Sequence, residues 1–339
     1  MEVKMGDKMD YTLVGRNAAK SFMIVCLALC LAMTASGRQK VGLVFGGGGA
    51  KGAAEVGVLK VIEEAGIPID YVAGTSIGAV VGGLYAAGYS AAELDTLFSS
   101  QQWLSLLTDR NSELAMQPYV VRDGVTYIFG FPVFQSGESI LGVVSGNKIV
   151  QLIDSLASER SATTFDCLQR PFCCVAADLK TVSEVVIDDG SVAQAVRASM
   201  AIPGIFKPVR RGEQLLIDGG VMNNLPVDVV RQMGADIVIA IDLQQNVPER
   251  RLPADNDALG YLELLGIPML TGIVNWATNR PDQQKYWENV KSADIVIRPD
   301  LPDYDASNFG NENARRMITI GERDARRQWD KLQSLLNRL

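Results

Sequence analysis

The 339-residue sequence contains no histidine. Histidine is the usual general base beside a serine or cysteine nucleophile, so its absence excludes a Ser-His-Asp triad and a Cys-His pair. Any proton acceptor in this chain must be a carboxylate, a lysine or a backbone group. Histidine is also the commonest metal ligand, and its absence leaves few ways to build a zinc site.

Cysteine is scarce as well. Five are present, and two of them, Cys26 and Cys30, lie in an apolar run near the N-terminus. The other three, Cys167, Cys173 and Cys174, cannot form a disulfide framework, and their spacing does not suggest zinc. As neighbours in a strand, Cys173 and Cys174 would face opposite ways. We expect buried thiols at all three positions, and neither a metal nor a cofactor.

Basic residues are in the minority. The chain has 32 Lys and Arg against 39 Asp and Glu, a net charge of −7, and it contains no basic tract. Proteins that bind nucleic acid neutralise phosphates with clustered Lys and Arg, so nucleic acid is excluded as an expected partner. Hydrophobic residues make up 47% of the chain, which is enough for a sizeable core.

The apolar run near the N-terminus is short. Phe22–Met33 is a 12-residue run that follows a charged segment and precedes the small residues Thr-Ala-Ser-Gly. Spanning a bilayer takes about 20 apolar residues. This layout predicts that residues 1–37 are a signal peptide cut after Gly37. The protein is then exported, and in a bacterium it would be periplasmic, outer-membrane-associated or secreted.

Other interpretations of this N-terminal segment stay open. Because the charged segment is long, Met5 and Met9 stay open as the true start. The whole segment is alternatively an uncleaved anchor or a spurious extension. Cys30 suggests a lipoprotein box, but Leu29 stands where a small residue is usual. Intact mass distinguishes these cases.

From residue 40 onward, short apolar strands alternate with helical periodicity. This pattern predicts a three-layer α/β/α fold with a mostly parallel central sheet, in one domain over residues 38–339. The predicted strands are 40–45, 69–74, 172–179, 183–190, 215–220, 235–243 and 293–301. The predicted helices are 52–66, 77–87, 90–99, 146–158, 191–200, 226–234 and one long helix over 311–339.

The alternation breaks at about 109–145, which we interpret as an inserted, lid-like region. Its aromatic stretch 127–134 is β-like and is followed by the turn-forming Gln-Ser-Gly-Glu. Two hypotheses stay open for this region. It is either a hairpin packed on the domain or a flap that faces lipid.

One serine stands at a predicted strand-to-helix turn. In Gly-Thr-Ser-Ile-Gly, Ser76 is flanked by Gly74 and Gly78. Such a turn presents a hydroxyl at the carboxyl edge of the sheet, beside a helix N-terminus that stabilises negative charge. The motif also occurs by chance, and the alternative is a serine that only caps the helix.

A glycine-rich turn lies upstream, at 45–52, between the first strand and helix. Its G-x-G-x-x-G spacing is compatible with dinucleotide binding, but Asp70 lies at the start of the next strand rather than at its end. A P-loop is excluded because Gly52, not Ser or Thr, follows Lys51. The third hypothesis is that the amides of this turn form an oxyanion hole. A purely structural turn stays open too.

Asp218 is the candidate base. It ends an apolar strand and precedes Gly219 and Gly220, so it also lies at a sheet edge. Partial burial would raise its pKa from about 3.9. The alternative is a turn aspartate. The rival proton acceptors, which we consider weaker, are Asp178, Asp188, Asp189 and Lys51.

Four motifs, taken together, carry a family resemblance. They are Gly-Gly-Gly-Gly-Ala-Lys-Gly at 46–52, Gly-Thr-Ser-Ile-Gly at 74–78, the segment 198–209 and Asp-Gly-Gly at 218–220. With them, residues 40–243 resemble the patatin-like phospholipase family, especially its exported bacterial members.

The resemblance implies roles for these residues. Ser76 is the expected nucleophile and Asp218 its base, and this family works without histidine. The expected oxyanion donors are Gly47, Gly48 and Gly49, and the residues expected to support the motifs are Lys51, Gly52, Gly74, Gly78, Gly219 and Gly220. Segment 198–209 should form a wall of the site. Glu55 stands where many relatives have histidine, a difference we expect to be neutral for the chemistry.

These inferences predict a serine acyl hydrolase, a phospholipase A or lipid esterase. Its expected substrate is a phospholipid or another lipid ester, with transient contact to a membrane surface. The alternative function is a lipid-binding or scaffold protein that keeps the fold without turnover. A dinucleotide-binding protein is the third hypothesis.

Overall fold

The computed structural model describes residues 38–107, 109, 119–122, 125–128, 144–203, 205–244 and 282–339. The predicted signal peptide and most of the predicted insertion lie outside the described residues. Within them, strands and helices alternate along the chain. No helix among these ranges is long and apolar enough to cross a membrane.

The strands largely follow the predicted apolar runs. They are β1 (Val41–Phe45), β2 (Tyr71–Thr75), β3 (Tyr119–Arg122), β4 (Val125–Ile128), β5 (Phe172–Asp178), β6 (Ser183–Ile187), β7 (Val209–Arg211), β8 (Gln214–Asp218), β9 (Ile237–Ile241) and β10 (Ile295–Ile297). The short β7 was not predicted.

The helices follow the predicted periodic segments. They are α1 (Ala53–Glu64), α2 (Ile77–Ala86), α3 (Ala91–Ser100), α4 (Trp103–Leu107), α5 (Asn147–Glu159), α6 (Val192–Ser199), α7 (Val227–Gln232), α8 (Asp282–Ser292), α9 (Asn311–Arg326) and α10 (Trp329–Leu336). Short 3₁₀ turns span Gly49–Gly52 and Gly219–Val221. The helices α4 and α8 were not predicted. The predicted capping box at Ser90 and Glu93 is present.

The central sheet is mostly parallel, as predicted. The strands β10, β9, β1, β2 and β5 run side by side in that order, all parallel. The antiparallel strand β6 pairs along one edge of β5, over Cys174–Asp178. The other edge of β5 carries β2 as far as Val175 and then the antiparallel β8, from Ala176 onward. Two strands of opposite direction therefore meet end to end beside β5.

Helices cover both faces of this sheet. Inward residues of one face, such as Leu43, Phe45 and Cys174, belong to a core with α1, α2, α6 and α9. The alternate residues, such as Val44 and Cys173, pack with α7 and α8 on the other face. Because successive strand residues point to opposite faces, the buried runs produce two cores. The three-layer α/β/α prediction is confirmed.

Part of the predicted insertion is described. The strands β3 and β4 pair as an antiparallel hairpin, from Tyr119 with Ile128 to Arg122 with Val125. This hairpin shares residues 127 and 128 with the stretch 127–134, for which a hairpin and a lipid-facing flap were the two hypotheses. The predicted Gln-Ser-Gly-Glu turn lies outside the described residues, so the lid hypothesis stays a prediction.

Two further predictions were wrong in detail. The C-terminal segment is two helices rather than one, because α9 ends at Arg326 and α10 begins at Trp329. Cys173 and Cys174 are buried as expected, but Cys167 is exposed in the short 3₁₀ turn before β5. A thiol in a surface turn lacks the strand burial that covers the other two.

Candidate active site

Ser76 lies at the turn between β2 and α2, with φ 56° and ψ −122°. A positive φ is unusual for any residue but glycine and costs about 1–3 kcal/mol, which the surrounding structure must offset. The turn is tight: a Cβ at Gly78 would lie 2.4 Å from the carbonyl oxygen of Phe45. The Ser76 hydroxyl makes no capping bond to α2. The helix-cap hypothesis therefore does not account for it.

The Ser76 hydroxyl donates instead to Asp218. Its Oγ lies 2.6 Å from Asp218 Oδ2, across 142 residues of sequence. Ser76 follows Thr75, which pairs with Val175, and Asp218 pairs with the next residue of β5, Ala176. The end-to-end meeting of β2 and β8 therefore brings the two side chains together.

Asp218 is 7% exposed and has both oxygens engaged. Oδ1 accepts the N–H of Gly220 at 2.7 Å, and the Asp218 N–H donates to Ala201 O at 2.9 Å. Burial raises the pKa of Asp218 to about 6, against the lowering by hydrogen bonds from Ser76 and Gly220. A carboxylate with this pKa is a much better base near neutral pH than an exposed aspartate.

Ser199 fixes the backbone of the turn that carries Ser76. Its Oγ accepts the Ser76 N–H at 2.9 Å and donates to Val175 O at 2.6 Å, and the residue is fully buried. The Ser76 amide is therefore held to β5 through one hydroxyl. The family resemblance implied that segment 198–209 forms a wall of the site, but no sequence signal singled out Ser199. Only its spatial position beside β5 identifies this contact.

The glycine-rich turn lies against Ser76. A Cβ at Gly47 would be 3.4 Å from Ser76 Cβ. The Gly47 N–H, one of the three expected oxyanion donors, already donates to Asn224 O at 3.0 Å. Within the described ranges, the N–H groups of Gly48 and Gly49 have no backbone acceptor. Because the Gly47 N–H is already used, the remaining predicted oxyanion donors are the N–H groups of Gly48 and Gly49. Their role stays a prediction.

The other motif residues surround this centre in tight backbone contacts. A Cβ at Gly52 would meet Ile77, at Gly74 it would meet Gly78, and at Gly219 it would meet Val175 O. Gly220 supplies the N–H that binds Asp218.

The rival bases are occupied elsewhere. Lys51 donates to Leu243 O at 2.8 Å, and burial lowers its pKa. Asp178 would have its pKa raised by burial, but hydrogen bonds from Leu215 N–H, Thr181 and Lys180 N–H lower it. Asp189 forms an exposed ion pair with Arg211.

Asp188, the remaining candidate base, and Asp70, the residue of the dinucleotide hypothesis, also lie outside the site. Asp188 is exposed, beyond the end of β6. Asp70, the residue that a dinucleotide site would need, accepts the N–H of Val41 at the start of β1. That position is at the opposite end of the strands from the glycine-rich turn. Among the described residues, no group of three or more acidic or cysteine side chains could hold a metal ion.

A second buried carboxyl, Glu55, lies on α1. It is fully buried, and in the described part of the chain neither of its oxygens has a hydrogen-bond partner. Burial raises the pKa of Glu55 well above its usual value. The N–H of Gly46, which donates to Ile241 O, offsets part of this rise, and burial outweighs it.

A comparison with protein families agrees with these motifs. The family model described as patatin-like phospholipase matches residues 43–231, more than half of the chain. The strained strand-to-helix turn at Ser76, the carboxylate of Asp218 and the glycine-rich turn all lie within the matched residues. The chain belongs to the patatin-like phospholipase family.

Several curated proteins are similar over much of this chain. Patatin-like phospholipase domain-containing protein 7 of Mus musculus is 35% identical over 284 residues, which cover 80% of this chain and 19% of the mouse protein. An uncharacterized NTE family protein of Mycobacterium tuberculosis is 33% identical over 221 residues, covering 65% of this chain and 33% of that protein. The chain thus spans a minor part of the length of either relative.

Solved structures are similar at lower identity. VipD from Legionella pneumophila has a TM-score of 0.46 and 15% identity, and the match covers 87% of this chain and 67% of VipD. The ExoU–SpcU complex of Pseudomonas aeruginosa has a TM-score of 0.44 and 18% identity, with 88% of this chain and 52% of the matched chain covered.

Proposed function

We propose that this protein is a serine acyl hydrolase that cleaves carboxylic esters of phospholipids or other lipids. Ser76 is the nucleophile, Asp218 is its base, and the amides of Gly48 and Gly49 stabilise the oxyanion. Membership of the patatin-like phospholipase family supports a lipid substrate. The observation that carries the proposal is the 2.6 Å hydrogen bond from a strained serine to a buried aspartate.

Acylation follows from this geometry. Ser76 Oγ attacks the ester carbonyl carbon while its proton passes to Asp218 Oδ2. The carbonyl oxygen becomes an oxyanion beside the glycine-rich turn, where N–H groups stabilise its charge. As the ester C–O bond breaks, the departing alkoxide takes the proton from Asp218. The alcohol, a lysolipid when the substrate is a phospholipid, leaves, and the acyl group stays on Ser76.

Deacylation uses the same groups in the same order. A water molecule attacks the acyl carbonyl carbon and gives a proton to Asp218. The second tetrahedral intermediate collapses, the bond to Ser76 Oγ breaks, and the serine recovers the proton. A fatty acid is released. One carboxylate thus alternates between base and acid, so the cycle needs no third residue to carry protons.

The test replaces Ser76 by alanine and measures nitrophenyl ester hydrolysis and labelling by a fluorophosphonate probe. We expect activity to fall by more than about 10³-fold and labelling to be lost, because the nucleophile is gone. The matched control is Ser90→Ala, which removes a serine from another helix N-cap. This control should lose about 1 kcal/mol of stability and keep its activity. Hydrolysis retained by purified Ser76→Ala would disprove the proposal.

The alternative is a lipid-binding or scaffold protein without turnover. The strain at Ser76 and the hydrogen bond to Asp218 argue against it, because a binding protein gains nothing from either. Absence of labelling and of hydrolysis in the folded wild-type protein would favour this alternative.

Transient contact with a membrane surface is part of the proposal. The wall segment next to Ala201 carries Ile205, a large apolar side chain that is 39% exposed. Lys207, two residues on, is an exposed cation. The cation supports contact with an anionic bilayer, because the negative surface potential of the bilayer attracts a lysine that stands next to an exposed apolar side chain. Comparing hydrolysis of vesicle phospholipids with that of a soluble ester tests this, and equal rates for both would contradict it.

We also propose export with removal of residues 1–37, on the layout of the N-terminal segment. The intact mass of the protein recovered outside the cytoplasm tests this proposal. A mass that retains Phe22–Met33 would indicate an anchor instead.

A further inference from the structure

One residue links the base strand to the glycine-rich turn. Asn224 follows Asp218 by six positions, after the 3₁₀ turn. Its carbonyl oxygen accepts the N–H of Gly47 at 3.0 Å, and its Nδ2 donates to Gly47 O at 3.0 Å. Both polar groups of the Gly47 backbone are therefore held by the same asparagine, 177 residues away in sequence.

The Asn224 side chain also lies over Gly220. A Cβ at Gly220 would be 2.6 Å from Asn224 Oδ1, and one at Gly47 would be 2.1 Å from the same atom. Gly220 is the residue whose N–H binds Asp218. A single planar amide is thus packed between the turn that holds the base and the turn that faces the nucleophile. Neither glycine could be replaced by a larger residue without displacing it.

In the part of the chain that the structure describes, the three successive N–H groups of Gly47, Gly48 and Gly49 differ in whether they have a backbone acceptor. A buried N–H needs an acceptor, and Gly47 has Asn224. The next two N–H groups, those of Gly48 and Gly49, have no backbone acceptor among the described residues. Asn224 holds both the N–H and the carbonyl oxygen of Gly47, and this restricts the rotation of the peptides that follow. Oxyanion donors act through preorganisation, which fixed peptides supply and mobile ones do not.

We propose that Asn224 is a positioning residue, which holds the glycine-rich turn so that the Gly48 and Gly49 amides stabilise the oxyanion on the substrate bound to Ser76. This inference rests on the proposed hydrolase function. Asn224 itself touches neither the reacting atoms nor Asp218 through a hydrogen bond. Its effect passes through Gly47, so it should change transition-state stabilisation more than substrate binding.

The first experiment compares kcat and KM of wild type and Asn224→Ala on a nitrophenyl ester. Loss of one oxyanion donor costs about 10²–10³-fold in kcat, and loosening the donors should cost about 10–100-fold. KM should stay within about threefold, because ground-state binding is untouched. The acid limb of the pH profile should not move, because Asp218 keeps its bonds to Ser76 and Gly220. The inference would be overturned if kcat were unchanged, or if KM rose by about 10–100-fold while kcat stayed the same.

A second readout uses a trifluoromethyl ketone inhibitor, which forms a tetrahedral adduct with a nucleophilic serine. Its Ki should rise in Asn224→Ala by the same factor as kcat/KM falls, because adduct and transition state use the same donors. An unchanged Ki beside a lower kcat would contradict positioning of the oxyanion donors. The near-isosteric and uncharged Asn224→Leu removes the side-chain amide and tests the same bond if the alanine variant folds poorly.

The matched control is Asn289→Ala on α8. Asn289 is 2% exposed and bonds to Asn223 and Asp228, away from the glycine-rich turn. We expect this variant to lose stability and to keep kcat per folded molecule. Equal kcat losses in both variants would mean that Asn224 acts only on folding. An inactive, unlabelled wild type would instead disprove the proposed hydrolase, whereas an active wild type with an unaffected Asn224→Ala disproves the positioning role alone.

Discussion

Two buried carboxyls, Asp218 and Glu55, lie in contrasting surroundings. Asp218, at the end of β8, accepts hydrogen bonds on both oxygens and contacts Ser76. Glu55, inside α1, has no hydrogen-bond partner among the described residues. Burial raises the pKa of both. A raised pKa therefore does not by itself identify a catalytic base, and what separates the two is the hydroxyl beside Asp218.

The comparison also separates two energetic roles. Hydrogen bonds to Asp218 stabilise its charged form and hold it ready to accept a proton. For Glu55 the Gly46 N–H offsets only part of the effect of burial, so ionisation of Glu55 in the core is costly. We infer that Asp218 matters for rate and Glu55 for stability, and exchanging the same functional group at each position tests this.

The largest expected effect is on rate. Asp218→Asn keeps the size of the side chain and removes the proton acceptor, so kcat should fall by at least about 10²–10⁴-fold. Glu55→Gln, the same exchange at the other carboxyl, should keep kcat within about threefold. The measurement is ester hydrolysis by purified variants under identical conditions.

Asp178→Asn is a further control for that exchange, because Asp178 is bonded to its own turn. It should have a mild effect. Near wild-type turnover by Asp218→Asn, together with a large loss in either other variant, would refute Asp218 as the base while leaving Ser76 as a candidate nucleophile.

The next effect is on the pH dependence of rate. Only ionised Asp218 can accept the serine proton, so kcat/KM should fall about tenfold per pH unit below the pKa of that carboxyl. With the pKa at about 6, the acid limb should bend near pH 6. The limb should stay in place in Glu55→Gln. If it shifts in that variant, Glu55 is electrostatically linked to the site and the two carboxyls are not independent.

The smallest effect concerns stability and its pH dependence. Glu55 has a higher pKa in the folded protein than its value of about 4.3 in an unfolded chain. Protonated Glu55 favours the folded state, so the free energy of unfolding should decrease as pH rises above about 4.3 towards the folded-state pKa. Glu55→Gln should make this decrease smaller, and the raised pKa of Asp218 should leave a residual decrease of the same sign. Urea denaturation between pH 5 and pH 7 measures the difference.

Replacing the carboxyl by an apolar side chain of similar length extends this test. Glu55→Met should raise the free energy of unfolding at pH 7 by about 1–3 kcal/mol, because it removes an unpaired buried polar group. A less stable Glu55→Met would show that the carboxyl has a partner after all, such as a buried water.

Much of the fold could be predicted because its signals are local. The apolar runs that became β1, β2 and β9 and the small residues around Ser76 each specify their own conformation. The antiparallel course of β8 could not be predicted this way, because an apolar run of five residues does not state its direction or its neighbour. The break after Arg326 also escaped prediction, since the helical periodicity continues across it.

The sequence could single out the residues of the candidate site, but it could not give most of their contacts. The motifs singled out Ser76 and Asp218, and the sheet brings these two side chains within hydrogen-bond distance. The engagement of the Gly47 amide with Asn224 could not be foreseen, because it joins positions 177 residues apart. Ser199 escaped notice for the same reason: a buried serine near a helix end has no distinctive local signal.

Because β2 and β8 meet end to end beside β5, their pairing with β5 determines the distance between Ser76 and Asp218. Thr75, the residue before Ser76, is opposite Val175, and Asp218 is opposite the next residue, Ala176, so the pairing of both strands with β5 sets the position of Asp218 relative to Ser76. A slip of β8 by one residue would displace Asp218 by about 3.4 Å and turn its carboxyl to the other face of the sheet. If the proposed hydrolase function holds, chains that pair β8 out of register would keep most of the fold and lose activity, so that activity would report the strand register.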